Sequence, residues 1–229
     1  MVQLLDIGNS FTRVALWNGG DFVDLRRLPT GELDKLPLSG YPLAAACVYP
    51  PAKAMLKDVH INYISALNHQ SKVDFSLVDR TTLGADRVAN AIAVAEFYPL
   101  PAAVIDCGTA VTLEVIDGAY RFVGGAIAPG RKLLRHALFS GTAQLPEIPM
   151  EPQIPQNIGR NTVDAIRFGV DAGIIGTVKQ WLTVLRRQYP ELTVILTGGD
   201  ASFFAPEFPE AVLTDDKFTL HGIRLAAGY

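Results

Sequence analysis

The sequence predicts an α/β protein of two lobes, each a mixed sheet flanked by helices, with the second lobe a duplicate of the first. Three observations carry this. Asp6-Ile7-Gly8-Asn9-Ser10-Phe11-Thr12 and Asp106-Cys107-Gly108-Thr109-Ala110-Val111-Thr112 share the pattern D-x-G-[NT]-x-x-T. Each follows a short apolar strand, Val2–Leu5 or Ala103–Ile105, and precedes a second apolar run, Val14–Trp17 or Leu113–Ile116. Each second run stops at a turn dipeptide, Asn18-Gly19 or Asp117-Gly118, expected to supply the positive-φ pair of a tight hairpin. The chain therefore divides into lobes at 1–100 and 101–229, with the C-terminal helix free to pack back on the first.

In the first lobe, Val2–Leu5, Arg13–Trp17 and Phe22–Leu25 are expected to form a three-strand meander. The stretch 30–42, with Pro37 and Pro42 and with Gly31 and Gly40, reads as a loop holding at most a short helix at Glu32–Leu36. Leu43–Val48 suits a buried parallel strand and stops at Pro50-Pro51. A short helix over Ala52–Lys57 and a strand over Asn62–Leu67 follow. Leu83-Gly84-Ala85-Asp86-Arg87 runs into an Ala-rich helix that ends near Phe97, ahead of Pro99; Val88, Ala91, Ile92 and Ala95 keep helical spacing.

The second lobe repeats the plan. After its hairpin, Arg121–Ile127 gives a third strand, in which Gly124-Gly125 permits close backbone approach. Ala128-Pro129-Gly130 turns into a helix over Arg131–Phe139. Leu145–Pro155, with four prolines, must be extended and is a candidate flap. Thr162 is expected to cap a helix that runs through Gly173 and Gly176 to Arg187, its glycines pointing to tight packing on a neighbour. Leu192–Leu196 reads as a buried strand, Thr197-Gly198-Gly199-Asp200-Ala201 as an open strand-to-helix turn, and Phe218–Ala227 as a closing helix.

Composition limits the functions available. At 229 residues the chain can bury roughly 70–75% of its unfolded surface, enough for a large domain or two small lobes. Apolar residues make up 49% and charged residues 19%, the balance of a folded soluble protein. A net charge of −3 without a basic run gives no footprint for nucleic acid. Cys47 and Cys107 lie in apolar runs and read as core residues of a reducing compartment. No stretch is apolar for the ~18 residues a membrane helix needs, and no charged segment precedes the N-terminal apolar stretch, so a cytoplasmic protein is expected. None of the four histidines is paired at metal-ligand spacing.

The repeat itself suits phosphate. A glycine two residues beyond a strand-end aspartate lets the backbone turn sharply and offer N–H groups to an anion. Neighbouring Asn, Ser and Thr side chains add neutral donors, and the aspartate can hold a hydrated Mg²⁺ that meets the phosphate in turn. Arg13 closes the first turn, either as an exposed strand residue or, the reading preferred, as a charge for the terminal phosphate. For Asp86 and Arg87 two readings stand on this segment alone. Asp86 either only complements a helix N-terminus, with Arg87 solvated, or serves a site.

Asp6-x-Gly8-Asn9-Ser10, Gly84-x-Asp86-Arg87, Asp106-x-Gly108-Thr109-x-x-Thr112, Gly159-Arg160-Asn161-Thr162 and Thr197-Gly198-Gly199 occur in the order found in type III pantothenate kinases. The resemblance spans residues 1 to about 225 and extends in fold to the acetate and sugar kinase/Hsp70/actin superfamily, whose lobes are actin-like (ribonuclease H-like). No G-x-x-x-x-G-K-[ST] is present, so a P-loop kinase is excluded.

The resemblance implies ATP-dependent phosphorylation of pantothenate to 4′-phosphopantothenate, the entry step to coenzyme A, by a homodimer. It implies that Asp6, Ile7, Gly8, Asn9, Ser10, Phe11, Thr12 and Arg13 bind the phosphates of ATP, with Asp6 on Mg²⁺ and Thr109 meeting the phosphates from the other lobe. Asp106 would belong to a monovalent-cation site for K⁺ or NH₄⁺. Gly84, Ala85, Asp86 and Arg87 would bind pantothenate, with Asp86 as general base and Thr162 on the same substrate. Thr197, Gly198 and Gly199 would border adenosine.

Two departures stand out. Arg13 replaces the family's usual Lys, a fork for a point charge, and Leu77 and Arg80 replace a Tyr and a Pro on the substrate side. Two other functions therefore stay open: a kinase of the same fold acting on another small hydroxyl compound, and a non-catalytic nucleotide-binding regulatory protein. An intact Asp86 argues against the second.

Overall fold

The computed structural model of the chain describes residues 1–38 and 40–229. The expected loop 30–42 includes Ser39, which lies outside the described residues. In chain order the elements are β1 (Val2–Ile7), β2 (Phe11–Trp17), β3 (Phe22–Pro29), a 3₁₀ turn over Thr30–Lys35, β4 (Leu43–Cys47), α1 (Pro51–Met55), β5 (Asn62–Tyr63) and α2 (Ala85–Phe97). They continue with β6 (Ala102–Cys107), β7 (Ala110–Ile116), β8 (Phe122–Pro129), α3 (Arg131–Gly141), α4 (Thr162–Gln188), β9 (Thr193–Thr197), α5 (Ala201–Phe204), β10 (Val212–Leu213) and α6 (Phe218–Ala226).

The duplication is visible in the sheets. One has the order β3-β2-β1-β4-β5 and the other, strand for strand, β8-β7-β6-β9-β10. In the first sheet β1 and β2 run antiparallel from Val2↔Trp17 to Ile7↔Thr12, and β4 lies parallel on the other side of β1. The central strands β1 and β6 show the same burial along their length: four buried residues, a half-buried aspartate, then a buried Ile7 or Cys107. Strands hydrogen-bonded on both sides and covered on both faces read as such apolar runs, and the aspartate emerges only at the C-terminal end.

By contact density the chain forms two compact units. Unit 1 comprises Met1–Ala102, Glu114–Gly124 and Thr214–Tyr229; unit 2 comprises Ala103–Leu113 and Gly125–Leu213. In unit 1, Leu5, Ile7, Val14, Leu33 and Ala45 form a core into which Leu28, Leu43 and Tyr63 pack. On its helical side α6 lies along α2, and a Cβ at Gly222 would collide with the backbone of Ala89. That close approach explains a glycine inside a helix, where it otherwise costs about 1 kcal/mol against alanine. In unit 2, Ile148, Ile166 and Val170 form a smaller cluster with Leu134, Leu138 and Leu145, which pins the proline-rich stretch to α3 and α4.

Several local expectations need correction. Neither turn dipeptide is a positive-φ pair. In the first, Gly19 alone is left-handed (φ 103), and Asn18 instead accepts from the amides of Gly20 and Asp21 at 2.9 Å each. In the second, the left-handed residue is Tyr120 (φ 62), while the Asp117 carboxylate accepts from the amides of Ala119 and Arg121. An Asx side chain thus does the turning that two left-handed residues would otherwise do. Gly124 has φ 130 and open space where a Cβ would stand, so a backbone angle requires it and not a close approach.

The N-cap of α4 is Asn161, not Thr162. The Asn161 side chain accepts from the Asp164 amide at 2.9 Å and donates to its carboxylate at 2.7 Å, which leaves Thr162 as the first helical residue. The predicted strand over Asn62–Leu67 shortens to two residues because a bridge between Ser65 and Asn68 closes a turn there. Among the described residues no helix is long and apolar enough to cross a membrane.

Candidate functional site

The β1–β2 turn is built by its own backbone. The Gly8 amide donates to the Phe11 carbonyl at 3.1 Å, and Thr30 braces the turn from below. Its hydroxyl donates to the Gly8 carbonyl at 2.8 Å and its amide donates to the Ser10 carbonyl at 3.1 Å. Thr12 turns inward: fully buried, it shares a hydroxyl–hydroxyl hydrogen bond of 3.1 Å with Thr30. Asn9, Ser10 and Phe11 are exposed, and Arg27 stacks on the Phe11 ring at 3.7 Å. Arg13 is mostly buried and donates to the Asp6 carboxylate at 3.3 Å; a second nitrogen lies 3.7 Å from Asp216. So Arg13 is no solvated strand residue. It stands at the strand-end carboxylate.

The Gly84–Arg87 motif opens α2. Gly84 is the residue before the helix, and a Cβ there would stand 2.6 Å from Asp86 Oδ1, so its bareness gives the carboxylate room. Asp86 lies in the first turn and accepts from the Arg87 amide at 2.8 Å. Arg87 is held from behind: its Nε donates at 2.8 Å to Glu114 on β7, whose side chain is 0% exposed. The reading of Arg87 as solvated fails on this contact. Glu114 was missed because it sits inside an apolar strand, yet the signal was there. It is the lone charge in Ala110–Ile116, and a carboxylate buried on a strand needs a cation.

In unit 2 the β6–β7 turn and the β9–α5 turn lie against each other. Gly198 has φ 93, and a Cβ on it would collide with the Asp106 carboxylate and the Cys107 backbone. The Asp200 amide donates to the Cys107 carbonyl at 2.9 Å, and the Gly130 amide donates to the Thr109 carbonyl at 2.9 Å. Thr197 is buried at the end of β9, whereas Gly108 and Thr109 are exposed. Thr162 is exposed and lines an apolar groove of about 720 Å³ with Leu134, Leu138, Ile166 and Gly169. Apart from the flanking residues and the neighbouring backbone of α4 itself, no atom of the described residues comes within 4 Å of where a Cβ would stand on Gly169, Gly173 or Gly176. Their smallness is not spent inside the chain.

Unit 2 also holds a cluster of buried charges that the motifs did not announce. Arg131, Arg135 and Asp171 are each at most 2% exposed. Asp171 accepts from Arg131 Nε at 2.9 Å and from Arg135 Nη2 at 2.8 Å, and Arg131 reaches on to Asp200 at 2.9 Å. Burial pushes the Asp200 carboxyl above its ordinary value, although the Arg131 charge beside it pulls the other way. The spacing of Arg131 and Arg135, one helical turn apart, was the available signal.

Among the described residues no three His, Cys, Asp or Glu cluster as a metal cage. Mg²⁺ that travels with phosphates needs only one or two carboxylates. Asp6, half-buried at the end of β1, can supply one such carboxylate by itself, and Asp106 stands in the equivalent place at the end of β6.

Two sheets of one strand order, each with an Asp-x-Gly turn on its central strand, define a duplicated α/β protein of actin-like fold. Solved structures of that fold superpose over nearly the whole chain. One is a conserved Campylobacter jejuni protein described as belonging to the Baf family of transcriptional activators (TM-score 0.65, 21% identity, 97% of this chain and 95% of that one). Another is the activator of 2-hydroxyisocaproyl-CoA dehydratase from Clostridium difficile with bound ADPNP (TM-score 0.54, 19% identity, 99% and 92%).

The sequence decides the family. The type III pantothenate kinase model matches residues 3–183. Type III pantothenate kinases from Akkermansia muciniphila (36% identical, 98% of this chain and 97% of the relative) and Petrotoga mobilis (32%, 97% and 96%) align along the length of the chain. The chain belongs to the type III pantothenate kinase family, and it is an enzyme, a phosphotransferase.

Proposed function

We propose that the chain transfers the γ-phosphoryl group of ATP to pantothenate, giving ADP and 4′-phosphopantothenate, the first step of coenzyme A biosynthesis. Family membership carries this reading. The intact motif residues support it: both Asp-x-Gly turns and the Gly84–Arg87 helix start are built as side-chain platforms, not as core filler.

Phosphoryl transfer asks a protein mainly for positioning and charge neutralisation. We assign the phosphates of ATP to the Asp6–Arg13 segment. Its exposed Asn9 and Ser10 supply neutral donors, its backbone supplies N–H groups, and Arg13 supplies the charge. Thr12 serves from below by fixing Thr30 under the turn. Thr109 is assigned to the phosphates as well, and Thr197–Gly199 to adenosine. Asp6 would hold Mg²⁺ and Asp106 a K⁺ or NH₄⁺ ion, and these ions supply charge neutralisation at the phosphates.

Asp86 takes the proton of the pantothenate hydroxyl as general base; Gly84 leaves its carboxylate room, and Glu114 fixes Arg87 beside it. Thr162 contacts the same substrate. The lobes are assigned to 1–100 and 101–229. A cytoplasmic homodimer completes the reading, supported by the bare glycine face of α4 beside an apolar groove.

Release of ADP by the purified chain, measured with pantothenate and with a panel of other small hydroxyl compounds, tests the function. Pantothenate should stimulate release strongly in K⁺ and weakly in Na⁺. Equal stimulation by an unrelated alcohol would point to another kinase of the fold. No stimulation by any compound would leave a nucleotide-binding regulator.

A further inference from the structure

The charge cluster of unit 2 has no part in the chemistry above, yet it ends at the turn assigned to adenosine. Arg131 spends its guanidinium in full. Nε and Nη2 donate to Asp171 at 2.9 and 3.3 Å, Nη1 donates to Asp200 at 2.9 Å, and Nη2 also donates to the Glu151 carbonyl at 2.6 Å. The guanidinium carbon lies 3.2 Å from the centroid of the Phe203 ring, the side chain is 1% exposed, and the backbone follows directly on Gly130, whose amide is bonded to Thr109.

Asp200 shows which way this arrangement acts. It occupies the N-cap of α5, where an aspartate ordinarily accepts from the helix amides. Here no side-chain cap bond forms, and the carboxylate is turned to Arg131 instead. Meanwhile its amide is fixed on the Cys107 carbonyl. The residue after Gly198-Gly199 is therefore held at both ends, by β6 through its backbone and by Arg131 through its side chain.

We propose that Arg131 is a positioning residue for the nucleotide: through Asp200 it holds the Thr197–Gly199 turn in register with the Asp106–Thr109 turn. This rests on the reading of the chain as an ATP-dependent kinase. A planar fork with its donors in fixed directions can hold Asp171, Asp200 and a carbonyl at once, which a lysine ammonium cannot. The contact with Glu151 ties the proline-rich stretch to the same guanidinium, so that stretch and the turn share one anchor.

The test is calorimetric binding of MgADP to the whole protein, which needs neither turnover nor pantothenate. Asp200→Asn keeps the shape and leaves Arg131 an amide oxygen in place of a carboxylate; MgADP affinity should fall by about fivefold, the difference between a charge-assisted and an ordinary hydrogen bond. Arg131→Lys should lower it similarly, and the double variant should be no weaker than the worse single one, since the two residues act as one unit. In steady state, KM for ATP should rise in Asp200→Asn while KM for pantothenate stays within about twofold. An unchanged MgADP affinity in Asp200→Asn, or fully additive losses in the double variant, would overturn the proposal. Should Arg131→Lys fail to fold, the split in KM for Asp200→Asn decides alone. Wild-type protein that binds MgADP but never phosphorylates pantothenate sinks the assigned substrate and leaves this inference standing; wild-type protein that binds no MgADP sinks both.

Discussion

Asp86 and Glu114 differ in what their loss should do, because one is assigned to the reacting hydroxyl and the other only to an arginine. General-base catalysis is worth ~10²–10⁴-fold, so Asp86→Asn should lower kcat by about that factor. The asparagine oxygen can still accept from the Arg87 amide, as Asp86 does at 2.8 Å, so folding and MgADP affinity should hold. Turnover within a few-fold of wild type, with chemistry rate-limiting, would remove Asp86 from the role. Glu114→Ala is the contrast. It removes the carboxylate that accepts from Arg87 Nε, in a pair whose side chains are 15% and 0% exposed, and breaking a buried pair costs about 3–5 kcal/mol. Thermal unfolding should register that loss, and KM for pantothenate should rise with it. A variant with wild-type Tm would show that the pair contributes little.

Among the elements, α4 offers a direct check on how its start is specified. Asn161→Ala should cost about 1 kcal/mol, the usual worth of an N-cap, whereas Thr162→Ala, at the first helical position, should cost a few tenths. Denaturant midpoints in the reverse order would restore Thr162 as the cap. The helix was legible from a good capping residue at its start, but which residue caps it was not. Asn161 and Thr162 are both good caps, and only the side-chain bond to the Asp164 amide separates them. The central strands were equally legible, since burial on both faces leaves an unbroken apolar run. What stayed hidden were contacts between residues far apart in the chain: Arg87 with Glu114, Arg131 with Asp171 and Asp200. No local period encodes those. Thr30, which braces the β1–β2 turn, was likewise read as ordinary loop.

For the whole molecule, stability should depend on pH through two half-buried histidines. Burial lowers the pKa of His69, and burial, followed by the Arg224 charge, lowers that of His221. His221 packs among Trp17, Phe22 and Phe97, with Arg224 Nε donating to its Nδ1 and Lys217, Asp21 and Asp215 nearby. A histidine whose folded pKa is depressed contributes fully above its unfolded pKa of about 6.5, and that contribution is lost as pH falls toward the folded value. Tm should therefore drop between about pH 7 and pH 5, and His221→Gln should flatten part of the drop. An identical profile in the variant would shift the cause to other groups.

The claim that most of this depends on is that the chain phosphorylates pantothenate with ATP. Mass spectrometry of a reaction containing the purified protein, MgATP, K⁺ and pantothenate tests it most directly. The expected result is 4′-phosphopantothenate formed in step with ADP by the wild-type chain and nearly absent with Asp86→Asn, while both proteins bind MgADP equally. ADP accumulating without any phosphorylated pantothenate would contradict it, whereas product forming at equal rates with the two proteins would remove only Asp86 from the role of base.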